Sequence, residues 1–310
     1  MNRTAQAVRF DQYGDRDVLR VTDVPMPEPA PGEVVVEVRA AAVNPFDTTL
    51  RSGVIRHLFP LDFPSGQGSD LAGVVTAVGA EVDGLAVGDE VLGWTPAAGA
   101  HATHLAVPAD RLVTKPPRMS WEVAGSLHMV GATAYAAARA VTVQPGETVA
   151  VSAAAGGVGS FLVQMLAGRG VRVLGIASPA NTEWLDRHGV IPVPYGDGLR
   201  ERLEHAAGAG GVDVFIDLYG PEYLDLAVDL GIKPERIQTT VAMERAAEIG
   251  ARTDGRHNAT AREILLELVD LVASGAVEIP IAATYPLDRV ADAFAELEQR
   301  HTRGKIVLIP

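Results

Sequence analysis

Apolar and polar residues alternate over short runs in the first third of the chain. Glu33–Arg39 reads EVVVEVR, Leu71–Val78 reads LAGVVTAV, and Asp89–Leu92 forms a third, shorter run. Turn residues separate them, at Pro29-Ala30-Pro31-Gly32 and at Val87-Gly88-Asp89. A period of two between Gly, Pro and Asp predicts the short strands of a β-rich domain. The pattern changes after Pro116-Pro117. An Ala-rich stretch from Ser120 through Ala140 reads as helical, and Thr148–Ala153 as a buried strand. Beyond it, strand patterns at Val171–Ser178, Ile191–Pro194, Val212–Leu218 and Arg236–Ala242 alternate with helical ones. The helical patterns cover Ser160–Gly168, Asn181–His188, Leu199–Ala207 and Pro221–Leu230. Such alternation predicts a parallel sheet covered on both faces. The tail carries two amphipathic helices, near Thr260–Ser274 and Leu287–His301, and a closing strand, Lys305–Ile309. An alternating unit therefore lies inside the chain, flanked on both sides by material of a second domain.

The 310 residues leave room for two domains. Composition narrows the chemistry. With no cysteine, disulfides, a thiolate nucleophile, iron–sulfur clusters and Cys-ligated zinc are excluded. A net charge of −13 has the wrong sign for gripping nucleic acid or an anionic membrane by bulk electrostatics. Thr148–Gly168 is uncharged over 21 residues, long enough on paper for a bilayer. Its centre, Ala154 to Gly159, breaks two different periodicities, so it reads as strand, turn and helix instead. The N-terminal segment has charges at Arg3, Arg9 and Asp11 and no apolar signal core. The expectation is a cytoplasmic protein.

The motif richest in chemistry is Ala154-Ala155-Gly156-Gly157-Val158-Gly159, directly after the Thr148 strand. It is the G-x-G-x-x-G dinucleotide fingerprint with Ala154 in place of the first glycine. Gly156 lets the backbone approach a pyrophosphate, and Gly159 lets the following helix pack on its strand. The helix N-terminus offers free N–H groups and the positive end of its dipole. A strand before and a helix after supply the context that the motif needs. The next strand ends at Ser178, where NAD-binding units usually place an acid for the ribose 2′-hydroxyl. A serine does not repel a 2′-phosphate, so the expected cofactor is NADPH (NADP+).

Several ordered motifs carry a resemblance. They are Asn44-Pro45-Phe46-Asp47 with Arg51-Ser52-Gly53, then Gly66-Gln67-Gly68-Ser69-Asp70-Leu71-Ala72-Gly73-Val74-Val75, Val78-Gly79 and Val87-Gly88-Asp89-Glu90-Val91. Gly131-Ala132-Thr133-Ala134-Tyr135, the Ala154–Gly159 loop and Arg303-Gly304-Lys305-Ile306-Val307-Leu308 complete the set. Across the whole chain this resembles the medium-chain dehydrogenase/reductase superfamily, in its zinc-free quinone oxidoreductase (zeta-crystallin-like) branch. The resemblance implies an α/β protein with a GroES-like β-rich catalytic domain (1–118 and 258–310) and a Rossmann doubly wound parallel-sheet domain (119–257) binding NADP(H). It also implies a cofactor in the interdomain cleft, a homodimer, and hydride transfer to a quinone or an α,β-unsaturated carbonyl (enone). No nucleic-acid or membrane partner is expected.

Residue by residue, the resemblance replaces a zinc-ligand Cys by Asn44 and a ligand His by Ser69. Both are poor zinc ligands, so no metal is expected. Asn44 is placed near the nicotinamide, although Asn before Pro is also an ordinary turn choice. Thr133 matches a threonine facing the nicotinamide and its ribose, Tyr195 a tyrosine near the adenosine, and Arg300 a position that reaches the 2′-phosphate. Tyr135 is expected in the core. Asp47 is expected to hydrogen-bond structurally, with Arg51 as its partner or as a surface or substrate-side cation. His128 stands where relatives have an apolar residue; it is either a proton donor or a packing residue. His57 is a candidate for a substrate mouth. Thr49, Asn181 and Ile55 depart from the Tyr, Lys and Tyr of various relatives, which leaves the proton donor unassigned. A pathway-specific enoyl or polyketide-type reductase, and an NADPH-binding regulatory or structural protein with little turnover, stay open as alternatives.

Overall fold

The computed structural model describes residues 4–96, 98–254 and 261–310. The chain divides into two compact units, 1–129 with 280–310, and 130–279.

The first unit is mostly β. Strands β1 (Thr4–Arg9) and β2 (Arg20–Pro25) form an antiparallel pair. The long β3 (Glu33–Ala42) leads into helix α1 (Pro45–Arg51), followed by β4 (Asp70–Val78), β5 (Glu90–Trp94), β6 (His104–Pro108) and β7 (Leu112–Thr114). Two helices follow, α2 (Trp121–Ala124) and α3 (Leu127–Ala140), the second of which runs on into the other unit. The alternation of β3 and β4 pairs them antiparallel and buries Val34, Val36, Leu71 and Val75 on one face. The N-terminal half of β3 also pairs with β6, and its C-terminal end with the closing strand of the chain, Val307 opposite Ala42.

In the second unit β8 (Thr148–Val151), α4 (Gly157–Gly168), β9 (Arg172–Ala177), α5 (Thr182–Arg187) and β10 (Ile191–Pro194) alternate. The alternation continues through α6 (Leu199–Ala207), β11 (Val214–Asp217), α7 (Pro221–Asp229) and β12 (Ile237–Thr239). All five strands are parallel in the order β10-β9-β8-β11-β12. The order turns back at β8, which places the loop after β8 at a topological switch point. Beyond β12, helix α8 (Met243–Ile249) intervenes, and Arg252 forms an isolated parallel bridge with Gln238. Helix α9 (Arg262–Ala273) packs in this unit, its Leu268 against Gly131. The Gln164 side chain bonds both ways to the Glu278 backbone. These contacts carry the second unit on to residue 279. The expected boundary at 257/258 and the helix start at Thr260 lie outside the described residues. The chain then returns to the first unit with β13 (Ile281–Pro286), α10 (Val290–Glu298) and β14 (Lys305–Ile309).

Short strands such as β1, β2, β6 and β13, and helix α1, have no clear period in the sequence; pairing across the chain defines the strands. No helix of the described residues is long and apolar enough to cross a membrane.

Candidate active site

In the first unit, β3 ends at Ala42 and α1 starts at Pro45, so Asn44 is the N-cap residue of α1. Its backbone N–H donates to Asp47 Oδ2 at 2.8 Å, the N3-to-N-cap arrangement that ties a helix start. Its side chain is buried among charges. Asn44 Nδ2 donates to Asp70 Oδ2 at 3.1 Å, and Lys305 Nζ donates to Asn44 Oδ1 and, at 3.1 Å, to the Val43 carbonyl. Asp70 Oδ1 accepts from the Met129 N–H at 2.9 Å. Asn44, Asp47, Asp70 and Lys305 are all less than 5 % exposed.

Burial sets the charge states here. It drives the Asp47 carboxyl up from its ordinary value of 3.8 to about 7, with Asp70 adding repulsion and the Asn44 N–H, Lys305 and Arg51 pulling back. Burial also lowers the Lys305 ammonium, against the opposing pull of Asp70 and Asp47. The fully buried His101 is lowered to about 4 by the same cause, and its Nε2 faces the Ala42 carbonyl at 3.1 Å.

His128 stacks on Trp94 with ring centroids 4.9 Å apart, and its Nδ1 lies 3.7 Å from Asp70 Oδ1. Neither ring nitrogen has a hydrogen-bond partner, so the packing alternative accounts for the stack but leaves two buried polar atoms unpaired. Ser69 Oγ and Gln67 Oε1, on the segment entering β4, are unpaired as well. Two of the three alternatives for Arg51 are not met. It is 1 % exposed, bonds Glu298 Oε1 at 3.0 Å, and lies over the Phe294 ring rather than at the surface or hydrogen-bonded to Asp47. Burial lowers its guanidinium, which Glu298 partly restores. His57 is exposed.

In the second unit, the loop after β8 turns at Ala153, whose φ of +47° is left-handed. The strained position is thus one residue before Ala154, which is fully buried and donates its N–H to the Ile176 carbonyl. A Cβ on Gly175 of β9 would stand 3.1 Å from the Ala154 Cβ, so the alanine relies on that glycine. Helix α4 begins at Gly157, three residues before the sequence pattern suggests, with Gly156 as its N-cap. Ser160 makes the first N–H bond of the helix, to Gly156 O. The N–H groups of Gly157, Val158 and Gly159 thus belong to the turn that has no intrahelical acceptors. A Cβ on Gly159 would stand 2.1 Å from the Ala153 carbonyl oxygen, so only glycine closes this turn. The loop fits a dinucleotide pyrophosphate.

Ser178 follows β9, half-buried, and accepts from Asn181 Nδ2 at 3.0 Å. The next acid along the chain, Glu183, is exposed in the first turn of α5. Tyr195 follows β10 and is 44 % exposed. Thr133 is half-buried on α3, and so is Tyr135, over whose ring lie the Arg139 and Arg169 guanidinium groups. Arg300, in the first unit, is exposed just past α10 with a φ of +57°. Asp217, at the end of β11, is held by Ser152 and Thr239 hydroxyls and two backbone N–H groups; burial raises its carboxyl.

Asp70 and Lys305 lie within the sequence motifs, but no role for either is legible there. The available signal was a lysine heading the otherwise apolar strand Lys305–Ile309 and an acid heading Leu71–Val75.

A β-rich unit interrupted in sequence by a second unit, whose parallel sheet has a glycine-rich first turn, defines a two-domain dinucleotide-dependent oxidoreductase architecture. Family models agree: residues 30–117 match the alcohol dehydrogenase GroES-like domain and residues 194–308 match zinc-binding dehydrogenase. A quinone oxidoreductase from Pseudomonas aeruginosa is 32% identical over 99% of this chain and 100% of its own length. The Escherichia coli quinone oxidoreductase complexed with NADPH superposes with a TM-score of 0.87 at 28% identity, covering 98% of this chain and 100% of that one. A Pseudomonas syringae quinone oxidoreductase gives 0.84 at 30% identity, covering 99% and 100%. The chain belongs to the quinone oxidoreductase branch of the medium-chain dehydrogenase/reductase superfamily, a family of oxidoreductases.

Zinc, named in one family model, does not fit these residues. Asn44 presents an amide whose oxygen already accepts from an ammonium, and Ser69 presents a neutral hydroxyl. Zinc wants thiolate, imidazole or carboxylate. Among the described residues no three His, Cys, Asp or Glu are grouped to hold a metal.

Proposed function

We propose that this protein is an NADPH-dependent, zinc-independent reductase that transfers hydride to a quinone or an α,β-unsaturated carbonyl. The Asn44 amide carries the reading. It is a buried, directed N–H donor where zinc-dependent relatives use a metal ligand. One Nδ2 hydrogen is committed to Asp70; the second is free to donate to an acceptor oxygen. Bound NADPH supplies the hydride. As negative charge gathers on the acceptor oxygen, a fixed N–H in a dry site stabilises it without reorganising. His128, beside Asp70, supplies the proton in this reading, and Thr133 positions the nicotinamide ribose.

The Ala154, Gly156, Gly157, Val158 and Gly159 backbone holds the pyrophosphate. Ser178 tolerates a 2′-phosphate that a carboxylate would repel, Arg300 supplies a cation for it, and Tyr195 covers the adenosine. The family resemblance extends the reading to a cytoplasmic homodimer.

Fluorescence titration tests the cofactor assignment: NADPH is expected to bind about tenfold or more tightly than NADH, and equal affinities would overturn it. Stopped-flow oxidation of bound NADPH by quinones, enones and enoyl thioesters then identifies the acceptor. Binding of NADPH without oxidation by any of them would replace this reading with that of a binding protein.

A further inference from the structure

A primary amide is nearly symmetric in shape, and a site that depends on its N–H must prevent it from turning over. Asn44 sits between two groups of opposite chemistry. On one side Lys305 Nζ has only hydrogens to offer and bonds both the Val43 carbonyl and Asn44 Oδ1. On the other, Asp70 Oδ2 faces Asn44 Nδ2, while Asp70 Oδ1 is anchored by the Met129 N–H. Turning the amide by half a rotation would set N–H against ammonium and carbonyl oxygen against Asp70. Both bonds would become repulsive in a site with little water to screen them.

We propose that Lys305 and Asp70 are positioning residues that lock the Asn44 amide in the one orientation that keeps its second Nδ2 hydrogen available to the acceptor. The proposal rests on the role given to Asn44 above. Neither residue touches the acceptor. Lys305 acts from the far end of the chain, 261 residues from Asn44, at the start of β14, which pairs with the end of β3. The strand pairing that joins the tail to the first unit thus also delivers the ammonium. Removing either clamp lets the amide sample the wrong face, which costs turnover more than acceptor binding.

Double-mutant cycles test this. Lys305→Met keeps an unbranched side chain of similar volume, one atom shorter, and removes the donor. It is expected to lower kcat by about 10- to 100-fold, the range for a misplaced catalytic group, with KM changed by less than about threefold. In the Asn44→Ala background the same substitution is expected to lower kcat by less than about twofold, because its target is gone. Asp70→Asn, which loses one of two acceptors, is expected to follow the same non-additive pattern. Additive losses would overturn the proposal, since a general packing role multiplies with any other defect.

A second readout does not involve turnover. The asparagines are Asn2, Asn44, Asn181 and Asn258, so selective 15N-Asn labelling gives a sparse spectrum. The Asn44 side-chain protons are expected to exchange with solvent at least about tenfold faster in Lys305→Met. Unchanged exchange would overturn the clamp even if the variant is slow. If Asn44→Ala turns over normally while exchange responds as expected, the clamp stands and the catalytic role of Asn44 falls.

Discussion

Replacing Asp47 by asparagine should change how stability depends on pH, by an amount that follows from burial. The Asp47 carboxyl is 2 % exposed, and its pKa rises from 3.8 to about 7 chiefly because ionising it in the interior is costly. Below pH about 4 the folded and unfolded chains both hold this proton. Between about 4 and 7 only the folded chain holds it, so stability falls as pH rises through that window. Above about 7 the folded protein carries a buried carboxylate. A gap of about three units at ~1.4 kcal/mol each makes about 4 kcal/mol, fully present below pH 4 and lost above 7. The amide of the Asp47→Asn variant keeps an oxygen to accept the Asn44 N–H and never ionises. The stability of the variant relative to wild type should therefore rise by ~1.4 kcal/mol per pH unit across the window. The chain has two compact units, so a single global transition is unsuited to the measurement. Hydrogen exchange of peptides from β3 and α1 between pH 4 and 8, corrected for intrinsic rates, reads the local free energy. Parallel profiles for the two proteins would refute the argument that desolvation dominates at Asp47.

Asn44→Ala is expected to lower kcat by about 100-fold, as loss of a directed donor does, and more than His128→Ala; steady-state kinetics showing the reverse order would overturn Asn44 as the main group stabilising the acceptor oxygen. Gly159→Ala puts a Cβ 2.1 Å from the Ala153 carbonyl. NADPH affinity should fall by about tenfold or more, since even ~1.4 kcal/mol of strain has that effect, and calorimetry checks it. Dialysis against a strong chelator should leave turnover within about twofold, because the Asn44 and Ser69 positions lack zinc donors; a loss restored by added zinc would contradict this.

How far the sequence could be read depended on distance along the chain. Strand–helix alternation from Thr148 to Thr239 was legible because each element announces itself by its own period, and the glycine loop because its geometry is local. Even there, a boundary moved: α4 begins at Gly157 and not at Ser160, and a left-handed Ala153 in the turn has no signature in the pattern. Helix α1 was hidden, since seven residues interrupted by two threonines show little periodicity.

By itself, the sequence determined the kinds of chemistry available: no thiolate, an amide and a hydroxyl at the two positions where the family resemblance puts zinc ligands, and a glycine-rich turn whose following strand ends in serine. Only the tertiary structure decided how those groups are charged and oriented. For Arg51 the sequence leaves a partner of Asp47, a surface residue and a substrate-side cation all open; the fold brings Glu298, 247 residues away, against it. The resemblance places Asn44 near the nicotinamide, but that Asp70 and Lys305 hold the two ends of its amide is decided by the tertiary structure. Such pairings leave no periodic trace, because they depend on strand partners separated by most of the chain. The near-neutral Asp47 has the same origin: no residue type carries a pKa of about 7 into a fold as a carboxyl, and burial beside a second acid creates it.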